Sequence, residues 1–289
     1  GGADGRSTSR GAAGAIGARN APSVFNAAFQ TALFWDGRAR SLEEQAKGPL
    51  VNPIEMAMPD LAAVVRRVSE DASYAPLFDA AFGTAAIDID RIAAAIAAYE
   101  RTLITPDAPY DRFVKGDAAA LDASQRRGMA LFQEFGCIQC HSGANFSSAA
   151  HGEKSGALRI FPIRDHPLVD RYGLRADSGA AGSPGARGLW RVPSLRNVAL
   201  TAPYFHNGAV HDLADAVRIM IAVQCNIDLE GEQRDPLIVW RSEAGLLDVA
   251  VPRRASERDV QDIVAFLRAL SSDKLLSAEV AEGGDGQAR

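Results

Sequence analysis

Along much of the chain apolar residues recur every three or four positions, the spacing of helices with one buried face. From Asp88 to Leu103, Ile89, Ile92, Ala93, Ile96 and Tyr99 form one stripe, and Asp88 stands where an N-cap belongs. A similar pattern runs from Pro59 into the seventies, and another from about His211 to Val223. Between Ser256 and Leu270 the buried face is Val260, Ile263, Val264, Leu267 and Leu270. Ser41 with Glu44 caps a short helix to about Lys47, after which Pro49, Pro53 and Pro59 break the chain into tight bends. Asp122 with Gln125 makes a capping box for a helix that carries Leu131 and Phe132. No convincing alternating run marks a strand and no segment repeats, so the predicted fold class is all-α.

The polar stretches are as informative. Residues 1–22 mix Gly, Ser and Ala with arginines and end in the turn signal Asn20-Ala21-Pro22-Ser23. Residues 143–194 are rich in Gly, Ser and Pro without a sustained period, which predicts loops wrapped around a ligand rather than a second apolar core. The expected division of the chain is 1–118, 119–274 and a small, acidic, Gly-rich tail at 275–289 expected to fray.

A length of 289 residues suits one large or two ordinary domains, and 47% apolar residues make the chain globular. A net charge of −5 and no basic run argue against a nucleic-acid surface. No apolar run reaches the roughly 18 residues that a bilayer span requires. The opening Gly-Gly-Ala-Asp-Gly, without a Met, reads as a processed or truncated chain.

The candidate chemistry centres on Cys137, Cys140 and His141, which spell C-x-x-C-H, the attachment signature of haem c. Two thiols one turn apart reach two vinyl groups of one porphyrin, and the adjacent imidazole supplies a nitrogen to the iron. A zinc site would need a second ligand pair, and a redox dithiol a strand–helix setting; the chain offers neither. Cys225 is expected to be a small buried apolar residue. Haem c is attached outside the cytoplasm in bacteria, so the expected location is the periplasm. His151, His166, His206 and His211 are expected at turns or on the surface.

Five segments in order, Arg19-Asn20-Ala21-Pro22-Ser23, Phe34-Trp35-Asp36-Gly37-Arg38-Ala39, Asn52-Pro53-Ile54-Glu55-Met56, Val192-Pro193-Ser194-Leu195-Arg196-Asn197 and Leu200 to Gly208, stand around the haem motif. Together they resemble the bacterial di-haem cytochrome c peroxidase and MauG superfamily. The resemblance implies two cytochrome-c-like haem domains with long loops and a calcium ion between them. It also implies a first C-x-x-C-H upstream of the loop that Gly1 to Arg19 resembles. No such motif is in this chain; the expectation is a missing N-terminal segment and an incomplete first domain, the alternative being a one-haem member.

By position, the resemblance makes Trp35 the tryptophan between the haems, a relay whose plain alternative is core packing. Gln45, Pro49 and Glu55 match the distal pocket of the first haem, with Glu55 as acid–base group or, alternatively, a surface glutamate at a turn. Asn20, Thr201 and Pro203 match the calcium ligands, the first through its side-chain oxygen and the others through carbonyls. Met220 matches the second axial ligand of the haem on His141, its alternative being helix core. No histidine precedes His141, so the first haem is expected to be open, which resembles MauG; Met220 resembles the peroxidases, and an MbnH-like subgroup lies between.

The expected activity is therefore reaction with hydrogen peroxide and passage of oxidising equivalents between haems. Electrons would come from a small c-type cytochrome or cupredoxin, or from oxidisable Trp or Tyr residues of a partner protein. The rival is a single-haem electron carrier with His141 and Met220 filling both axial positions; a haem-based sensor is a third reading.

Overall fold

The computed structural model describes residues 2–154, 156–182, 188–231 and 254–275. Helices dominate: α1 (Leu42–Val51), α2 (Leu61–Ser69), α3 (Tyr74–Phe82), α4 (Ile89–Glu100), α5 (Pro109–Val114), α6 (Ala123–Glu134), α7 (Pro167–Arg171), α8 (Leu213–Val223) and α9 (Glu257–Arg268). The expected caps at Ser41, Asp88 and Asp122 form, and Asp60, Asp212 and Ser256 likewise accept a backbone N–H of the helix that follows. Asp122–Gln125 and Ser256–Asp259 are reciprocal capping boxes.

Helices α6, α8 and α9 enclose the main apolar cluster, in which Phe266, Ile219, Ile221, Leu270 and Val260 are almost fully buried. Burying side chains of this size contributes roughly 1.5–3 kcal/mol each. Helices α6 and α9 approach so closely that a β-carbon on Gly128 would lie 1.8 Å from the carbonyl oxygen of Asp262. Smaller clusters sit among the N-terminal helices, Leu33 and Ala39 with Leu42 and Ala97, and Leu50 with Val64, Phe78 and Ile92.

Several expectations change. Leu158–Ile160 and Leu189–Arg191 pair as a two-stranded antiparallel ribbon, β1 and β2, with Leu158 opposite Arg191, so the fold is helix-rich with a little sheet. The ribbon's three-residue strands are too short for alternation to show in the sequence. Pro49 does not end α1 but lies inside its last turn, and the carbonyls of Gly48, Pro49 and Leu50 are taken by the Asn52, Met56 and Met58 N–H groups. The pattern after Pro59 is two helices, because Asp71 accepts the Ser73 N–H in a turn between them. Tyr99 is 67% exposed, and Ala97 takes the buried place on α4. Most of the expected tail, from residue 276 onward, lies outside the described residues.

Candidate functional site

After α6 the chain enters a single 3-10 turn, Cys137–Gln139, closed by the Cys140 and His141 amides donating to the Cys137 carbonyl at 3.2 and 2.9 Å. This turn brings Cys137, Cys140 and His141 to the wall of one cavity of about 1220 Å³. His141 is buried, and its Nδ1 lies 3.0 Å from the Phe146 carbonyl oxygen. A carbonyl only accepts, so Nδ1 carries the proton and Nε2 keeps a lone pair. Burial pushes the His141 pKa down to about 4, which keeps the imidazole in the neutral form that binds metals. Phe132, Phe135, Val217, Ile263 and Leu267 give this end of the cavity an apolar wall, and Met220, on the last turns of α8, lies on it too. Two thiols, a neutral imidazole and an apolar chamber fit a covalently held haem.

The same cavity is also lined by Gln45 and Pro49 of α1 and by Glu55 in the bend that follows. The Glu55 carbonyl accepts the Ala12 N–H at 2.6 Å, which ties that bend to the N-terminal loop. The contact depends on Gly11, because a β-carbon there would stand 1.7 Å from the Ile54 carbonyl oxygen. Trp35 lies on the wall as well, its Nε1–H donating to the Asn20 carbonyl at 2.8 Å. Asn20 is buried and its side-chain amide donates to the Pro203 carbonyl at 2.6 Å. Thr201 lines the same cavity. Asn20 and Pro203 are thus adjacent, but it is the amide nitrogen of Asn20, not its side-chain oxygen, that faces the carbonyl. Among the described residues no three His, Cys, Asp or Glu side chains converge as a metal site.

Some residues on the wall were not singled out in the sequence. His206, expected at a turn or surface, is only 2% exposed. It stacks on Trp190 with 4.0 Å between ring centroids and 16° between planes, and meets Trp35 edge-on at 6.4 Å. Arg19 lies over the Trp190 ring at 5.1 Å and pairs with Asp36 and Asp177 at 2.7 and 2.6 Å. Cys225 is half-buried, and its sulfur stands 3.8 Å from that of Cys137. The signal for His206 was local: Tyr204-Phe205-His206-Asn207-Gly208 is a tight turn with Phe205 at a φ of +66°, which a bulky residue adopts only under tertiary constraint.

Fold and site define a helix-rich protein built around a c-type haem attachment motif. Residues 1–119 match the family model described as di-haem cytochrome c peroxidase. Cytochrome c551 peroxidase of Pseudomonas aeruginosa is 40% identical, over 94% of this chain and 70% of its own length. Methylamine utilization protein MauG of Methylophilus methylotrophus is 32% identical, over 94% of this chain and 73% of its own. Among solved structures, a MauG-like protein associated with microbial copper homeostasis superposes with a TM-score of 0.71 at 28% identity, over 94% of this chain and 81% of that one. The chain belongs to the di-haem cytochrome c peroxidase and MauG family, and is a haem-dependent oxidoreductase.

Proposed function

We propose that the protein is a periplasmic di-haem enzyme that reduces hydrogen peroxide, with Cys137, Cys140, His141 and Met220 holding one haem and Gln45, Pro49 and Glu55 facing the other. The observation that carries this is the single cavity: all seven residues line it, and Trp35 stands on the same wall. When bound, a haem with an open axial position supplies cleavage of the peroxide O–O bond. Glu55 holds and moves the proton between peroxide oxygens. Gln45 orients the peroxide and Pro49 excludes water beside it. Trp35 carries electrons across the chamber. His141 and Met220 fix the second haem, and a thioether sulfur raises its potential so that it accepts electrons readily.

Peroxide takes two electrons and two protons to give two waters. The electrons come from a small redox protein, a c-type cytochrome or cupredoxin, or from Trp or Tyr side chains of a protein substrate. Asn20 with the carbonyls of Thr201 and Pro203 holds calcium between the two sites. The boundary between the domain of the first haem and that of the second lies near residue 118.

The test is the number of thioether-bound haems on the full-length polypeptide, from intact mass, with peroxide consumption measured on the wild type and Met220→Ala. Two haems are expected. Met220→Ala should lose the low-spin signal of the attached haem while peroxide still binds at the other. One haem, with no reaction toward peroxide, overturns the proposal in favour of an electron carrier.

A further inference from the structure

Arg191, in β2, is 5% exposed and lines the cavity. Its Nε donates to the Phe34 carbonyl at 2.9 Å and its Nη1 to the Gln30 side-chain oxygen at 3.3 Å. Both acceptors are neutral. Burial pulls its pKa down to about 10, and no charged group of the described residues opposes this. Glu100 shares the cavity wall, but its carboxyl answers to Arg101 and Glu43 and not to Arg191. A buried guanidinium without an anion is strongly unfavourable, so the site calls for a negative charge that the described residues do not supply.

Gln30, 7% exposed and on the same wall, points the same way. Its oxygen must face Arg191, because a guanidinium only donates, and Ser147 Oγ lies 3.4 Å from that oxygen. That orientation leaves Gln30 Nε2 buried with no acceptor. A cation and an orphaned N–H thus stand side by side at the chamber, the donor set for a carboxylate with two oxygens. The pair is joined to the haem segment. Ser147 also donates to the Val192 carbonyl at 2.7 Å, and its neighbour Phe146 holds His141.

We propose that Arg191 and Gln30 form the seat of a propionate carboxylate on the haem attached through Cys137, Cys140 and His141. The inference rests on the proposed function, because it needs that haem in the cavity. Arg191 also donates its backbone N–H to the Trp35 carbonyl at 2.8 Å, so the seat lies at the tryptophan assigned to the relay.

The test is spectroelectrochemistry of the attached haem in the full-length holoprotein, from pH 5 to 8, for the wild type, Arg191→Met, Arg191→Lys and Gln30→Leu. The cation keeps a propionate ionised, so the wild-type potential should be nearly flat with pH. Without it, the buried carboxyl titrates in this range and the potential becomes pH-dependent. Loss of the positive charge also favours ferric over ferrous iron. At pH 8 the oxidised-to-reduced ratio in Arg191→Met should rise about tenfold at fixed potential, or ~59 mV for one electron. Arg191→Lys should restore most of the wild-type behaviour, and Gln30→Leu should show a smaller shift of the same sign. Acetate or chloride added to the wild type should change nothing, since a free anion is not the occupant; a potential that follows added anion overturns the proposal.

If Arg191→Met fails to fold, Gln30→Leu carries the same readout, because the Gln30 side chain supports neither Phe34 nor Trp35. A loaded wild type whose Gln30→Leu and foldable Arg191 variants keep a flat, unshifted potential overturns the seat alone. A wild type with no haem on Cys137 and Cys140 overturns the functional reading as well.

Discussion

Gly128 of α6 lies directly against the backbone of Asp262 in α9: a β-carbon on the glycine would stand 1.8 Å from the Asp262 carbonyl oxygen and 2.9 Å from Phe266 Cβ. Alanine is the better helix former by about 1 kcal/mol, but the clash is with backbone, which a rotamer change cannot relieve. Gly128→Ala should therefore destabilise the protein by a net of roughly 1–3 kcal/mol. Denaturant unfolding of the holoprotein measures this; equal or greater stability would mean that α6 and α9 can separate at no cost.

The same junction sets an acid limit. Arg127 donates to Asp262 at 2.8 and 2.9 Å and Ser124 at 2.5 Å, and the Arg127 bond, against an opposing push from burial, holds the Asp262 carboxyl below the usual range. A carboxylate depressed in the folded state stabilises above its unfolded pKa of about 3.9, and the gain disappears as pH falls through the folded value. Stability should thus fall below about pH 4, and less steeply in Asp262→Asn. Identical pH profiles from pH 5 to 2 would remove the ion pair from the acid response.

In the N-terminal loop, Gly11→Ala should push the 54–55 backbone away and with it the Glu55 carboxylate. A misplacement near 1 Å costs on the order of 100-fold in rate. Stopped-flow mixing with peroxide should show a loss of that order, while the spectrum of the haem on Cys137 and Cys140 stays as in the wild type. Glu55→Gln should show a similar loss, about 100- to 10,000-fold, with the backbone unmoved. If Gly11→Ala slows nothing while Glu55→Gln does, the loop does not position the carboxylate.

The helices were legible because their signals are local: Asp88, Asp122 and Ser256 cap helices where the residue pattern places them, and the α9 stripe is buried as its spacing predicts. Pro49 was not, because its place inside α1 depends on carbonyls being satisfied by Asn52, Met56 and Met58 beyond it. The haem motif is legible for the same reason as the caps, since its three residues span five positions. Arg191 and Gln30 stand 161 residues apart, and nothing in either neighbourhood marks a cation without an anion. His206 stands at a turn, one of its two expected places, but its burial was not legible, because a polar residue in a Gly-ended turn is usually solvated; here Trp190, from the ribbon, covers it.

The cavity draws its walls from residues near Ser9, from the Cys137–His141 turn, and from Trp190 through Cys225. No single segment encloses the thiols: the chamber exists only once the beginning, the middle and the later part of the chain have come together, so an unfolded chain carries the attachment motif without the pocket.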